Sequence, residues 1–141
     1  NLAINSVPIL AYFSWYYTER VDYKNAINML NVSLIQNPYS LYTKYLLSRN
    51  YIYIDDYQNS EKILESIFDL SPKIESSSSL YLYVLGENKK ISKLINYQNK
   101  LSEIDNYTIW SFYLSAVEKN ISNKSDSLFF NSLKEIFEKK F

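Results

Sequence analysis

Residues 14–38 read SWYYTERVDYKNAINMLNVSLIQNP, and residues 48–72 read SRNYIYIDDYQNSEKILESIFDLSP. The second stretch repeats key positions of the first at one constant spacing. The pairs related by this spacing are Ser14/Ser48, Tyr17/Tyr51, Asp22/Asp56, Tyr23/Tyr57, Ala26/Ser60, Leu30/Leu64 and Pro38/Pro72. We call this spacing the repeat period. A fixed period of this length predicts an all-α solenoid of antiparallel helix pairs, in which each pair is too small to bury its own apolar face.

The composition argues against catalysis. Histidine and cysteine are both absent from the 141-residue chain, which excludes a thiol nucleophile, a Cys/His zinc site and imidazole acid–base chemistry. Neighbouring carboxylates at Asp55 and Asp56 are explained by helix capping, and those at Glu61 and Glu65 by a solvated helix face. We therefore interpret the chain as non-enzymatic, with no cofactor and no metal.

The charge distribution and the scarce glycine narrow the class of protein further. The chain carries 15 basic and 15 acidic residues, and it lacks the basic patch that nucleic-acid binding requires. A single glycine and three prolines argue against an all-β or a dinucleotide-binding α/β fold. The apolar stretch over residues 7–17 is too short to span a membrane. Because residue 1 is Asn, we expect a processed chain or a piece of a longer one.

The pattern of caps and apolar residues predicts about eight helices. In the first half, Ser6 caps a helix with Pro8 in its first turn, Asp22 caps residues 23–36, Ser40 caps residues 41–54, and Asp55 or Asp56 caps a helix ending at Leu70. In the second half, the serine run 76–79 is expected to be poor in a helix and to cap residues 80–85, followed by a C-cap and turn at 86–88. Further helices are expected over residues 90–103, 107–119 and 126–140. We expect one domain, 1–141, with clear units 7–40 and 41–74 and degenerate units of about 75–106, shortened around Gly86, and 107–141.

The repeat resembles the tetratricopeptide repeat over residues 7–72. The first copy carries the pattern as Leu10, Phe13-Ser14, Tyr17, Ala26, Leu30 and Pro38, and the second as Lys44, Leu47-Ser48, Tyr51, Ser60, Leu64 and Pro72. The resemblance implies a right-handed superhelix in which small residues let neighbouring helices approach closely. It also implies that the first helix of each pair lines a concave groove.

This alignment supplies the candidate partner-binding residues. They are Trp15, Tyr42, Tyr45, Arg49, Tyr53 and Tyr83, with Ala11, Thr18, Ile52 and Ser79 as further groove-facing positions. Tryptophan, tyrosine and arginine are enriched at binding hot spots, although any one of these rings has the alternative of packing between helices. The Lys and Asn side chains with which some family members clamp a C-terminal carboxylate are missing, since Ala11 and Trp15 stand at those sites.

Two main functions follow as hypotheses, and a third is an all-α enzyme fragment whose active site lies outside this piece. The first is a protein–protein interaction scaffold that binds a peptide or partner protein in an aromatic-lined groove. The alternative is the soluble extracytoplasmic tail of a bacterial membrane glycan enzyme similar to O-antigen polymerases or ligases, which would make the parent protein membrane-anchored and the location periplasmic. The full-length gene separates the two, because upstream membrane spans favour the second. The sequence leaves the compartment, the oligomeric state and the partner open.

Overall fold

A computed structural model describes residues 6–141, and this part of the chain is all-α, as predicted. Nine helices and no strand occur within it. The helices are α1 (Ile9–Glu19), α2 (Tyr23–Gln36), α3 (Leu41–Tyr53), α4 (Tyr57–Leu70), α5 (Glu75–Glu87), α6 (Ile91–Asn96), α7 (Gln98–Ser102), α8 (Tyr107–Lys119) and α9 (Lys124–Lys140). Within residues 6–141, no helix combines the length and the apolar character that crossing a bilayer demands.

The chain divides into two compact units. The first ends at Asp69 and holds α1 to α4 except for Leu70, the last residue of α4. The second runs from Leu70 to Phe141. In the first unit, α2 packs against both α1 and α3. In the second, α8 packs against α5, α6 and α9. Helix-on-helix packing thus builds each unit. That residues 1–141 form one domain stays a prediction.

The turns between paired helices recur with the repeat period of the sequence. Val21, Asp55 and Lys89 follow one another at this period, and each has a left-handed backbone with φ of 61°, 60° and 57°. In each turn the next amide donates to the carbonyl five residues earlier, in the pairs Asp22–Tyr17, Asp56–Tyr51 and Lys90–Leu85. This is the Schellman ending of a helix.

The third turn therefore keeps the repeat period, and the expected shortening around Gly86 is wrong. The period also relates the first residue of α3, Leu41, to the first residue of α5, Glu75. The spacing shortens only after that point, because α8 begins at Tyr107, earlier than the period requires.

The predicted caps of α2, α3 and α4 are confirmed. The Asp22 carboxylate accepts from the amide of Asn25 at 3.3 Å, and Asp56 accepts in the same way from Asn59 at 3.2 Å. Ser40 Oγ accepts from the backbone amide of the third residue of α3 at 3.3 Å. Such side chains satisfy amides that the first turn of a helix leaves without a partner.

The start of α1 differs from the prediction. Pro8 is the N-cap, with no side-chain cap, and Ser6 lies outside the helix. The carbonyl of Ser6 instead accepts a hydrogen bond of 2.6 Å from Asn37 Nδ2, beyond the end of α2. Proline suits this position because it has no amide hydrogen to leave unsatisfied.

Small side chains lie at the helix crossings of the first unit, as expected. Ser14, Ala26, Ser48 and Ser60 are all fully buried. Ser60 Oγ of α4 donates to the Ser48 carbonyl of α3 at 3.0 Å, which requires the two backbones to approach closely. The neighbouring core consists of Ala11, Ile27, Leu30, Leu46 and Leu47.

The serine run lies inside a helix, so the prediction that it is poor in a helix and caps residues 80–85 is wrong. Helix α5 begins at Glu75 and includes the run, with Ser77, Ser78 and Ser79 buried. Ser78 Oγ donates to the carbonyl of Pro72 at 2.7 Å. The serines are in a helix because tertiary burial of small side chains outweighs their weak helix propensity.

Gly86 was also wrongly predicted as part of a C-cap. It lies inside α5, where a Cβ would be 3.3 Å from the Cα of Ala116 on α8. The missing Cβ of glycine leaves room for this close crossing of α5 and α8, and the glycine does not form a turn. The actual C-cap is Asn88, and Lys89 supplies the left-handed residue.

Two further boundaries in the second unit differ from the prediction. The helix expected over 90–103 is two short helices that meet at Tyr97. The backbone ψ of Tyr97 is −1°, and its ring lies 6.0 Å from the ring of Tyr81. Helix α9 begins at Lys124 rather than at Asp126, because Asn123 Oδ1 accepts from the Asp126 amide at 2.8 Å and acts as the cap.

Candidate functional site

A pocket of about 150 Å³ lies between α1 and α3. It is lined by Trp15, Thr18 and Glu19 from α1, and by Leu46, Arg49, Asn50 and Tyr53 from α3. The two helices are the first members of consecutive pairs, so the repeat period places their equivalent faces side by side. We call this feature the α1–α3 pocket.

Trp15 forms one wall of the pocket and is 53% exposed. Trp15 follows the buried Ser14 by one position, so its side chain points about 100° away from that of Ser14. Trp110 on α8 shows the opposite arrangement. It is fully buried, and its Nε1 donates to the carbonyl of Ile104 at 2.9 Å. The two tryptophans therefore lie in different environments.

Arg49 is held between two tyrosine rings of its own helix. Its Nη2 donates to the Tyr53 hydroxyl at 2.6 Å, and its guanidinium carbon lies 5.7 Å from the ring centroids of both Tyr45 and Tyr53. Tyr53 in turn stacks on Tyr23 of α2 with centroids 4.9 Å apart. Burial acts to lower the pKa of Arg49, but hydrogen bonding and charge interaction with Tyr53 and Tyr45 raise it above the ordinary value. The group is a fixed, permanently charged donor.

Polar groups beside Arg49 hold one another in place by hydrogen bonds. Thr18 Oγ1 donates to Asn50 Oδ1 at 3.0 Å, and Asn50 Nδ2 donates to the Leu46 carbonyl at 2.9 Å. Glu19 adds a carboxylate to the lining. The pocket thus presents an aromatic face, a guanidinium, a carboxylate and an amide within one small volume.

The structure brings some predicted site residues together and separates others. Trp15, Arg49 and Tyr53 line one pocket, and Tyr45 flanks it while packing partly against the core. Tyr42 lies outside the pocket, with its ring 6.4 Å from that of Tyr12.

Other predicted positions lie elsewhere. Tyr83 belongs to the second unit, where it is partly exposed. Ile52 is half-buried and does not line the pocket. Ala11 and Ser79 were wrongly placed in the groove, because both side chains are buried. Ala11 belongs to the core, and Ser79 lies on a buried part of α5.

Sequence reasoning missed three residues of the lining. Glu19 follows Trp15 by four positions, and Asn50 follows Leu46 by four, so each pair lies on one face of its helix. This four-residue spacing is the sequence pattern from which Glu19 could have been predicted to lie beside Trp15. Leu46 and Asn50 were overlooked because the alignment emphasised aromatic and charged positions.

Carboxylates do not converge on a metal site in the part of the chain that the structure describes. No group of three metal-ligating side chains occurs among residues 6–141. Glu61 was interpreted as part of a solvated face, but it is buried on α4. Glu61 lies on the same side of α4 as Leu64, which is also buried and stands about one turn further along the helix.

Comparison of the chain with protein-family models, with curated proteins and with solved structures gave no match in any of the three.

Proposed function

We propose that the chain is a non-catalytic interaction module, similar to tetratricopeptide repeats, that binds an extended peptide segment of a partner protein across α1 and α3. The observation that supports this most is the α1–α3 pocket, in which exposed Trp15 lies beside a guanidinium fixed by two tyrosine rings. Tryptophan, tyrosine and arginine are the residue types that contribute most binding energy at protein interfaces.

The size of the pocket favours a peptide side chain over a small-molecule ligand. Pockets for cofactors and drug-sized molecules measure about 300–1,000 Å³. The α1–α3 pocket has about 150 Å³, which accommodates one or two amino-acid side chains. A segment bound here would insert a side chain and continue over neighbouring exposed rings such as Tyr42 and Tyr12.

The arrangement of charge suggests what that side chain carries. Arg49 can donate two parallel hydrogen bonds to a carboxylate or an amide, and its order lowers the entropy lost on binding. Glu19 would repel a second carboxylate, so a single acidic or amide group next to an apolar or aromatic residue suits the pocket. The aromatic residue would contact the ring of Trp15.

Selection of peptides from a random library displayed on phage tests this proposal. Selected peptides are titrated by calorimetry against the full chain and against Trp15→Ala and Arg49→Lys. We expect each substitution to weaken binding about 30-fold or more, since hot-spot residues contribute about 2 kcal/mol. Tyr39→Ala is the matched control, because Tyr39 is an exposed tyrosine outside the pocket. Selected peptides that bind all four proteins equally would contradict the proposal.

A second candidate is the glycan-enzyme tail domain, in which the same pocket contacts sugar. The observation that favours it is that the ring of Trp15 lines one pocket with the planar polar groups of Arg49 and Glu19. An aromatic face with such groups in the same pocket offers stacking and directional hydrogen bonds to a sugar ring. Screening the chain and Trp15→Ala on an array of bacterial glycans separates the two functions. Binding to glycans that depends on Trp15, with no peptide selected, would favour the second.

A further inference from the structure

One side of α1 is apolar and exposed. Ile9, Phe13 and Tyr16 follow one another at spacings of four and three residues, so they form a single stripe along the helix. Their side chains are 66%, 54% and 56% exposed. We call this stripe the α1 outer face. It is distinct from the α1–α3 pocket, whose lining includes none of the three residues.

The equivalent stripe of α3 is buried. The repeat period relates the α1 outer face to Thr43, Leu47 and Asn50, which are at most 2% exposed. Leu47 packs in the core with Ile27 and Leu30 of α2, the second helix of the preceding pair. Asn50 receives a hydrogen bond from α1, the first helix of that pair. Both helices of the preceding pair therefore cover this stripe.

The same positions of α8 repeat this arrangement in the second unit. Counted from the first residue of the helix as in α3, they are Ile109, Tyr113 and Ala116, all buried. The Tyr113 hydroxyl donates to the Leu94 carbonyl of α6 at 2.7 Å. Ala116 lies against Gly86 of α5. As in α3, the middle residue of the stripe, Tyr113, contacts the second helix of the preceding pair. The last residue, Ala116, contacts the first helix of that pair.

From this equivalence we propose that the α1 outer face binds an antiparallel pair of α-helices supplied by a partner protein. The second helix of that pair lies on Phe13, and its first helix lies on Tyr16. The partner continues the stack of helix pairs beyond α1, in the way that α1 and α2 together cover α3. Its second helix carries aliphatic residues three and four positions apart, as α2 does with Ile27, Leu30 and Leu34.

A second copy of this chain does not fit that description. Aligned on the N-caps Asp22 and Asn123, the α2 stripe corresponds in α9 to Leu128, Asn131 and Glu135. All three are exposed, and two are polar. Burying an amide and a carboxylate against Ile9 and Phe13 is costly, because these two side chains offer no hydrogen-bonding group.

The charge at the end of the stripe indicates which residues the partner carries there. Arg20 follows Tyr16 by four residues, and its guanidinium carbon lies 4.3 Å from the centre of the Tyr16 ring. A second helix that covers α1 as α2 covers α3 would begin beside Arg20. An acidic N-cap, like Asp22 in α2, would therefore meet a positive charge at that point.

An insertion in the full chain tests whether this face accepts a helix pair. A second copy of residues 7–40 is inserted between residues 6 and 7, so that an additional α2 precedes the original α1 with the native repeat period. Because each new interface adds stability in a repeat array, we expect the melting temperature to rise by about 5 °C or more. Phe13→Asp in the downstream copy should remove this rise.

Two controls complete the test. Ile35→Asp in the downstream copy changes another exposed apolar residue and should leave the rise intact. Phe13→Asp in the chain without the insertion should leave its melting temperature unchanged. An insertion that gives no rise, or a rise that survives Phe13→Asp, would overturn the proposal. So would light scattering that shows the chain without the insertion to be a dimer that Phe13→Asp dissociates, because the occupant would then be a second copy.

Discussion

Val21 and Asp55, one repeat period apart, share the left-handed backbone conformation, with φ of 61° and 60°. Glycine is the usual residue at this point of a Schellman turn. Valine is among the least suited, because its branched Cβ clashes in this region at a cost of about 1–2 kcal/mol. The turn is thus imposed by the packing of α1 against α2 and not by the preference of Val21.

Replacing Val21 with glycine should stabilise the protein. We expect Val21→Gly to raise the free energy of unfolding by about 1 kcal/mol, measured by urea denaturation, because it removes the strain of the positive φ. Val32→Gly is the matched control. Val32 is also exposed but lies inside α2, so glycine there should lower stability by about 0.5–1 kcal/mol. Val21→Gly that destabilises as much as Val32→Gly would show that no strain resides in the turn.

The buried serines of α5 should respond in opposite directions to alanine. Ser77 and Ser79 have buried hydroxyls without a hydrogen bond among the described residues, whereas Ser78 donates to the carbonyl of Pro72. We expect Ser77→Ala and Ser79→Ala to stabilise the protein by about 0.5–1 kcal/mol, since each removes an unsatisfied group and improves helix propensity. Ser78→Ala should destabilise by about 1 kcal/mol. Denaturant unfolding measures the three variants. A change in the free energy of unfolding with the same sign in all three would contradict this prediction.

Gly86 should not tolerate a large side chain. A Cβ at this position already lies within 3.3 Å of Ala116, so we expect Gly86→Leu to cost about 2 kcal/mol or more in the free energy of unfolding. Ser76→Leu, on an exposed position of the same helix, should change stability by no more than about 0.5 kcal/mol. Equal effects of the two substitutions would mean that α5 and α8 do not cross at Gly86.

The second unit should lose stability in alkali. Burial raises the pKa of Tyr113 above its ordinary value of about 10, and its hydroxyl donates to the Leu94 carbonyl. The unfolded chain therefore releases this proton at a lower pH than the folded chain. The contribution of Tyr113 is fully present below about pH 10 and is lost as pH rises further, by about 1.4 kcal/mol per pH unit.

Tyr113→Phe isolates this effect. The variant should be less stable at neutral pH by about 1 kcal/mol, because the carbonyl of Leu94 loses its donor, and its stability should fall less steeply above pH 10. Tyr39→Phe, at an exposed position, should keep the slope of the native protein. Chemical denaturation between pH 8 and 11 measures both slopes, and parallel slopes for native protein and Tyr113→Phe would contradict the argument.

Sequence patterns predicted the regular part of the fold well. The bounds of α2 matched the prediction, because Asp22 caps one end and Asn37-Pro38 terminates the other with local chemistry. The predictions for Gly86 and for the serine run failed for one shared reason. Both features serve tertiary packing within the second unit, and local propensity carries no information about that packing.

The candidate site was predictable to the extent that it follows the repeat. The repeat period was enough to place Trp15 and Arg49 on equivalent faces of neighbouring helices. Ala11 and Trp15 lie one turn apart on α1, yet Ala11 is buried and Trp15 is exposed. The rotation of α1 against α2 and α3 determines which of them is buried. The sequence pattern alone does not determine that rotation.

The most direct test of the proposed binding site uses the indole NH signals of the two tryptophans in a ¹H–¹⁵N spectrum. A peptide selected on the full chain is titrated while both signals are followed. We predict that the Trp15 signal shifts with saturation at the affinity measured by calorimetry, because its ring lies in the α1–α3 pocket. The Trp110 signal should stay in place, because its Nε1 is buried and bonded to Ile104. A bound peptide that leaves the Trp15 signal unchanged would contradict the account.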